Sequence, residues 1–187
     1  MTTFPRAGRT RTGYAPEQVD DFFERARSAY EESTLPGPRR PDAVDEDDVR
    51  TVAFDLVRQG YETSAVDAAL DRLEVAFVQR RRADHISAHG QEAWMEQVAD
   101  RATTLYPRLL RPAGERFAPP EKGQGYDAAS VDALLDRVVA YFDEGEELTA
   151  AEVRGATFPP ARGDKAYAEG PVDAYLDRVV EVLVAVE

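Results

Sequence analysis

The chain has 187 residues and a formal net charge of −13 at pH 7, from 36 acidic and 23 basic residues. This balance argues against a nucleic-acid binder and against polybasic attachment to anionic lipid, because both need a basic face. There is no cysteine, which excludes disulfide frameworks, thiolate metal sites and thiol nucleophiles. Hydrophobic residues make up 43% of the chain, enough for a core. No apolar run approaches the roughly 18 residues that cross a bilayer, and the start lacks a signal-peptide pattern, so we expect a cytoplasmic protein.

One sequence pattern recurs four times along the chain. It consists of a Gly-Tyr pair (Ala-Tyr in the last copy), then Val-Asp five residues after the tyrosine, then an apolar residue followed by an acid and arginine. The spacing from tyrosine to valine never changes, so the recurrence predicts structural repeats. The four copies occupy residues 13–25, 60–72, 125–137 and 166–178.

Each copy predicts the start of an amphipathic helix. Proline in the first turn favours helix starts at Pro16 and Pro171, and the second and third helices have candidate N-caps at Thr63 or Ser64 and at Asp127. In the last three copies the apolar residues follow a 4-3-4 spacing, which makes one stripe of the kind used in helical bundles and coiled coils. The equivalent leucines of these stripes are predicted to be buried: Leu70, Leu135 and Leu176.

A shorter element precedes two of the copies. The segment 48–54 matches 152–158, and Thr149 with Glu152 has the spacing of a capping box, so both segments predict short helices. Between the second and third copies, the three arginines 80–82 predict a helix end, and a separate helical stripe runs over 90–105. The other two copies keep only an upstream aromatic residue, Phe4 and Phe117.

These elements predict an all-α fold. Apolar residues rarely alternate, so strand signals are nearly absent, and the loops are short and rich in proline and glycine. The proline-rich segment 35–41 separates the first two copies, and 107–125 precedes the third. We therefore expect four helix-loop-helix repeats packed as helical hairpins or a bundle.

The order of the elements resembles the DivIVA domain. That domain has a first helix of the Leu-Thr-x-x-Glu-Val-Arg-x-x-x-Phe type, a loop that ends in Gly-Tyr, and then Val-Asp-x-x-Leu. Residues 148–178 carry this order, and residues 44–72 carry it again. The resemblance implies repeats over 1–34 (partial), 42–84, 117–146 and 147–187, with a connecting helix and loop over 85–116.

The resemblance also implies a function, with two departures. DivIVA domains bind membranes and recruit cell-division and pole-organising partners, and they stand on a long coiled coil that drives assembly. The lipid-inserting Phe-Arg pair before the glycine of the loop is missing from every copy here, and so is the long coiled coil. Membrane binding and polymerisation are therefore not carried over.

The repeated residues have a structural and a functional interpretation. Glycine permits close backbone approach, tyrosine packs with its hydroxyl satisfied, and an aspartate near a helix start stabilises the dipole or an orphan donor. The alternatives are a recognition loop and catalytic or metal-ligating carboxylates. We interpret the motif residues as structural or partner-binding: Gly13, Tyr14, Val19, Asp20, Gly60, Tyr61, Val66, Asp67, Gly125, Tyr126, Val131, Asp132, Tyr167, Val172 and Asp173.

The sequence is compatible with three functions. The leading hypothesis is a non-enzymatic protein–protein interaction adaptor of cell division or polar envelope growth, acting at the inner-membrane periphery, division site or pole. The first alternative is a peripheral membrane-surface binding module. The second is a small metal-dependent enzyme around His85 and His89, which lie four residues apart without the glutamate of a metalloprotease signature. We predict no catalytic residue, no cofactor, no metal and no nucleic-acid partner.

The last expectation concerns assembly. A single helical stripe must be covered, and in DivIVA-like proteins a second chain covers it. Four copies in one chain allow copies 1 and 2, and copies 3 and 4, to cover one another, because short linkers give a high effective concentration. We therefore expect a monomer.

Overall fold

The structure is a computed structural model that describes residues 4–32 and 43–187. It divides into two compact units, Met1–Asp84 (unit 1) and His85–Glu187 (unit 2). The predicted proline-rich loop 35–41 lies outside the described residues, as do the ends of the predicted repeats at residues 1, 34 and 42.

Unit 1 is built on a two-stranded antiparallel sheet and the helices that follow each strand. Strand β1 pairs with β2 so that Gly13 lies opposite Val57. Asp45 caps α2 through a capping box with Asp48. The elements are β1 (Thr12–Tyr14), α1 (Pro16–Glu32), α2 (Glu46–Thr51), β2 (Leu56–Arg58) and α3 (Thr63–His89), the last of which continues into the residues of unit 2.

The core of unit 1 consists of two apolar clusters that share neighbours. One is centred on Phe22, Ala26 and Phe77, and the other on Val19 and Val66. Burying an aromatic or aliphatic side chain of this size contributes about 1.5–3 kcal/mol. The sheet therefore holds together two helices whose apolar faces are turned inward.

Unit 2 has the same plan with an additional strand. Its three-stranded antiparallel sheet has the order β4-β3-β5, and Tyr126 on β3 lies opposite Tyr167 on β5. Short helix α7 packs against the long C-terminal helix α8. The elements are α4 (Gln91–Thr103), α5 (Tyr106–Leu109), β3 (Gly125–Asp127), α6 (Ala128–Glu144), α7 (Ala150–Arg154), β4 (Pro160–Ala161), a 3-10 turn (Gly163–Lys165), β5 (Ala166–Tyr167) and α8 (Glu169–Val186).

The core of unit 2 lies around α6 and α8. Leu135 on α6 and Val179 on α8 are fully buried. Trp94 on α4 is also buried and donates its indole N–H to the carbonyl of Ala185 at 3.3 Å. Helix α8 is apolar on most of its circumference because α4 and α7 both pack against it.

The described residues are mostly helical, so the prediction of a helical fold is confirmed, but two small sheets that the prediction did not include accompany the helices. The five strands are two or three residues long, too short to leave an alternating pattern. Two details of the helices also differ. Helix α3 does not end at Arg82 but continues to His89, and Leu70 is only partly buried, although Leu135 and Leu176 are buried as predicted.

The described residues contain no helix that is both long enough and apolar enough to cross a membrane.

Candidate functional site

In unit 1 the first two copies of the repeat cross at their Gly-Tyr pairs. The main-chain N–H of Tyr14 donates to the Tyr61 carbonyl at 2.9 Å, and that of Tyr61 donates to the Tyr14 carbonyl at 2.8 Å. A Cβ on Gly13 would lie 2.2 Å from the Tyr61 carbonyl oxygen, and one on Gly60 would lie 2.3 Å from the Gly13 carbonyl oxygen. Glycine is needed at this crossing because any side chain would strike the opposite backbone.

The aromatic residues of unit 1 are exchanged between the two copies. Tyr61 of copy 2 packs at 5.4 Å against Phe4, which precedes copy 1. Tyr14 of copy 1 packs at 5.4 Å against Phe54, which precedes copy 2. Both contacts are edge-to-face, the geometry that aromatic quadrupoles favour. The main-chain N–H after each tyrosine donates to the carbonyl after the exchanged phenylalanine: Ala15 to Asp55 at 2.8 Å and Glu62 to Pro5 at 2.9 Å.

Unit 2 repeats this exchange between copies 3 and 4. Tyr167 packs at 5.3 Å against Phe117, and Tyr126 packs at 5.2 Å against Phe158. A Cβ on Gly125 would lie 2.1 Å from the Tyr167 carbonyl oxygen, so this glycine is also required. The equivalent main-chain bonds are present: Asp127 to Pro159 at 2.8 Å and Ala168 to Ala118 at 3.0 Å.

The tyrosine hydroxyls reach the repeated aspartates of the partner copy. Tyr61 donates to Asp20, whose carboxylate oxygens lie 3.1 and 3.2 Å away. Tyr167 lies 3.0 and 3.1 Å from the oxygens of Asp132. The reciprocal contact in unit 2 is looser, since the Tyr126 hydroxyl is 3.5 Å from Asp173. The fourth pair is Tyr14 and Asp67, which interact across unit 1.

These pairs act as structural hydrogen bonds. Burial first, and then the hydrogen bond and charge of Asp20, raise the pKa of Tyr61 above its ordinary value of 10.0. Burial first, followed by the charge of Asp67, raises the pKa of Tyr14 in the same direction. A phenol with a raised pKa remains a protonated donor near neutral pH, so neither tyrosine is prepared to act as a base.

Asp132 is the one repeated aspartate that is buried, and an arginine side chain lies beside it. Its side chain and that of Arg116 are each 7% exposed and lie 3.6 Å apart. The carboxylate also accepts the main-chain N–H of Gly114 at 2.7 Å. Arg116 donates to the Asp132 carbonyl at 2.9 Å and pairs with Asp136. Every polar group of this cluster therefore has a partner inside unit 2.

The four repeated valines lie beneath these crossings. All of them are fully buried, and each is the fourth residue of its helix. In the fourth copy, Ala166 stands in place of glycine and is buried on β5. The structure thus brings together the motif residues of copies 1 and 2 in unit 1 and those of copies 3 and 4 in unit 2. The valines are Val19, Val66, Val131 and Val172.

The two histidines lie together at the end of α3. The rings of His85 and His89 are 4.7 Å apart, and His85 also contacts Trp94 at 5.6 Å. Within residues 4–32 and 43–187, no group of three or more His, Cys, Asp or Glu side chains is arranged to hold a metal ion. The arrangement is that of aromatic packing against the Trp94 side chain.

The sequence did not predict the buried ion pair of Arg116, and it did not predict the exposed aliphatic residues of β2. Arg116 precedes Phe117, and nothing in that dipeptide indicates a buried ion pair with a residue sixteen positions later. On β2, Leu56 is 60% exposed and Val57 is 37% exposed, whereas the sequence Leu-Val suggests a buried segment. The only feature of the sequence that could have indicated this exposure is position, because both residues lie just before the Gly-Tyr pair at 60–61.

Comparison with known proteins gives no relative for this chain. No family model matches it, and neither does any curated protein or solved structure.

Proposed function

We propose that the chain is a non-enzymatic protein–protein interaction adaptor. The observation that carries this proposal is the exchange of tyrosine, phenylalanine and aspartate between neighbouring copies. In each unit the repeated residues are used to join one copy to the next, through main-chain bonds of 2.8–3.0 Å after the tyrosines. A motif that holds helices in place leaves their outward faces for recognition.

The resemblance to DivIVA domains supplies the class of partner. The motif order Leu-Thr-x-x-Glu-Val-Arg, Gly-Tyr and Val-Asp supports partners from cell division or polar envelope growth. The extended coiled coil of that family has no counterpart here, since α3, the longest helix of the described residues, has 27 residues. The chain would therefore connect partners and not form a scaffold.

Proximity labelling in the native host tests this function. The full chain fused to a biotin ligase should enrich division or envelope-growth proteins over the ligase alone. The matched control carries Gly13→Ala and Gly125→Ala, which disturb both crossings, and it should lose the enrichment at equal abundance. A labelling profile equal to that of the free ligase would contradict an adaptor function.

A second candidate function is binding to a membrane surface. The exposed residues of β2 in unit 1 favour this function. Leu56 and Val57 are exposed beside Arg58, and Arg58 lies opposite Thr12, the residue after Arg11. Arg6 donates to the Gln59 carbonyl at 3.2 Å, at the same end of the sheet. Exposed aliphatic residues next to arginines match a lipid interface, because the apolar groups insert while the cations meet phosphate.

Vesicle co-sedimentation tests directly whether the exposed residues of β2 bind lipid. At low salt the chain should bind vesicles that contain phosphatidylglycerol, and Leu56→Ser with Val57→Ser should remove the binding. Leu110→Ser is the matched control, because Leu110 is 76% exposed and belongs to unit 2. Binding that persists in the Leu56/Val57 variant, or no binding at low salt where attraction is strongest, would eliminate this function.

A further inference from the structure

Unit 2 contains a cleft of about 350 Å³ between α5 and α8. Its walls include Arg108 and Arg111 from the end of α5 and the turn after it, and Arg178 from α8. Thr104 and Tyr175 complete the polar part of the lining, and no carboxylate belongs to it. Three guanidinium groups therefore face one space in a chain with 36 acids and only 23 basic residues.

None of the three arginines is neutralised. Throughout residues 4–32 and 43–187, the ion pairs are formed by arginines outside this cleft, for example Arg101 with Glu181 and Arg116 with Asp136. The acids of α8 nearest to Arg178 in sequence are engaged elsewhere, because Asp177 lines a different cleft and Glu181 pairs with Arg101. Burial first, and then the charges of Arg111 and Arg178, lower the pKa of Arg108, as expected for cations that repel one another.

Two of the three cationic groups are held in place by contacts that leave donors free. Arg108 stacks over Phe117 at 4.5 Å and over Tyr175 at 5.8 Å, and one of its nitrogens donates to the Arg116 carbonyl. Arg178 donates to the Thr104 hydroxyl at 2.7 Å. A guanidinium has five N–H donors, so most of the donors on both side chains remain unused. A preformed set of donors binds an anion without the entropy cost of ordering it.

The floor of the cleft is fixed as well. Tyr175 is buried and donates its hydroxyl to the Leu105 carbonyl at 2.8 Å. Burial raises the pKa of Tyr175 to about 12, although Arg108 and Arg178 oppose the shift. The phenol therefore stays protonated, and its oxygen does not supply the anion that the arginines lack.

We propose that this cleft is a binding site for a phosphoryl group. Three cations around one space attract a doubly charged phosphoryl group more strongly than a singly charged carboxylate, and the phosphoryl oxygens can accept from several guanidinium groups at once. A single carboxylate offers two oxygens and one charge, which satisfies one arginine. The phosphoryl group belongs either to a small soluble ester or diphosphate, or to a lipid headgroup, since both present the same oxygens.

Isothermal titration of the full chain with inorganic pyrophosphate, inorganic phosphate and acetate tests the site. We expect saturable one-to-one binding of pyrophosphate and phosphate at low ionic strength, with acetate weaker. Arg111→Ala and Arg178→Ala should each weaken pyrophosphate binding about tenfold or more, the effect of losing a charge-assisted hydrogen bond. Both side chains are exposed, so the variants should keep the circular dichroism spectrum of the parent chain.

Arg162→Ala is the control for net charge, because Arg162 is an exposed arginine of the same unit that does not line the cleft. It should leave pyrophosphate binding unchanged. Vesicles of phosphatidylcholine with phosphatidic acid distinguish the source: binding that needs Arg111 and Arg178 assigns a lipid headgroup, and pyrophosphate binding without vesicle binding assigns a soluble ligand. Absence of saturable binding to any of these probes, or an equal loss in Arg162→Ala, would overturn the proposal.

Discussion

At the scale of single residues, the glycines at the crossings are the most constrained positions. Gly13 and Gly125 each face the carbonyl oxygen of a partner tyrosine at a distance that excludes a Cβ. The obstructing atom is backbone, so no change of rotamer relieves the clash. We expect Gly125→Ala to lower the free energy of unfolding by roughly 1–3 kcal/mol, the usual cost of overpacking, as measured by urea denaturation.

Gly170→Ala is the matched control in unit 2. Gly170 has no heavy atom near the position of its missing Cβ, and it lies in the first turn of α8. Its replacement should be neutral or slightly stabilising, because alanine loses less backbone entropy than glycine in a helix. Equal losses of stability in the two variants would show that the backbones do not cross as closely as described.

The buried carboxylate of Asp132 gives a second prediction at this scale. Asp132→Ala leaves the Tyr167 hydroxyl and the Gly114 N–H without an acceptor and weakens the neutralisation of Arg116. We expect a loss of about 3 kcal/mol in the free energy of unfolding, the lower part of the range for breaking a buried ion pair, because Asp136 still pairs with Arg116.

Asp20→Ala provides the comparison within the repeat. Asp20 is exposed and accepts a hydrogen bond from the Tyr61 hydroxyl. Its loss should cost about 1 kcal/mol, the net value of one ordinary hydrogen bond. If the two aspartates prove equally important by thermal or urea unfolding, the burial of Asp132 does not have the energetic effect assigned to it.

At the scale of elements, the capping box of α7 predicts a pH dependence. The Arg137 hydrogen bond first, and then the bonds from Thr149, lower the pKa of Glu152 from 4.5 to about 2. Because the folded-state pKa is the lower one, this contribution to stability is fully present above pH 4.5 and disappears as the pH falls through about 2. Glu152→Gln should flatten the stability curve in that window, as measured by urea unfolding at several pH values.

The control for Glu152 is a glutamate of the preceding loop. Glu146 is exposed and takes no part in the capping box. Glu146→Gln should keep the steep fall in stability between pH 4.5 and about 2. A Glu152→Gln variant with the same steep fall would contradict the role assigned to the cap.

The apolar stripes give a graded prediction. Leu135 is fully buried, so Leu135→Ala should cost about 2–5 kcal/mol of unfolding free energy, as for other large-to-small changes in a core. Leu70 is only partly buried between the two clusters of unit 1, so Leu70→Ala should cost less. Arg72→Ala, on the exposed side of α3, should have little effect. Identical costs at Leu135 and Leu70 would show that the stripes are equally buried.

The helices were predictable because their signals are local. The Asp127 N-cap, the Thr149–Glu152 capping box and the first-turn proline at Pro16 each mark a helix start within one turn, and the structure agrees at all three. The strands were not predictable, because their partners lie more than thirty residues away in sequence. Gly13 and Val57, which lie opposite each other in the sheet, are neighbours only in the tertiary structure.

The candidate site, too, could be predicted from the sequence only in part. The repeated Gly-Tyr and Val-Asp residues were visible as a pattern, and in each unit the tyrosines contact residues of the neighbouring copy. Which tyrosine meets which aspartate depends on the crossing of two copies, so no spacing within one copy encodes it. The cleft of Arg108, Arg111 and Arg178 had no sequence signal, since arginines on separate helices become neighbours only through tertiary packing.

At the scale of the whole molecule, tandem copies of one motif pair with one another within a single chain. In unit 1, copies 1 and 2 exchange aromatic and main-chain contacts, and in unit 2, copies 3 and 4 do the same. A short connection raises the effective concentration of the partner copy, so pairing within the chain is favoured over pairing between chains. We therefore expect the chain to remain a monomer.

The mass in solution tests this central claim most directly. Light scattering behind size exclusion, at micromolar concentration and near neutral pH, should give a mass near 20.7 kDa that does not change on dilution. That result is expected if each copy finds its partner within the same chain. An obligate dimer or a larger species at the same concentration would contradict the account, because it would show that the copies pair between chains.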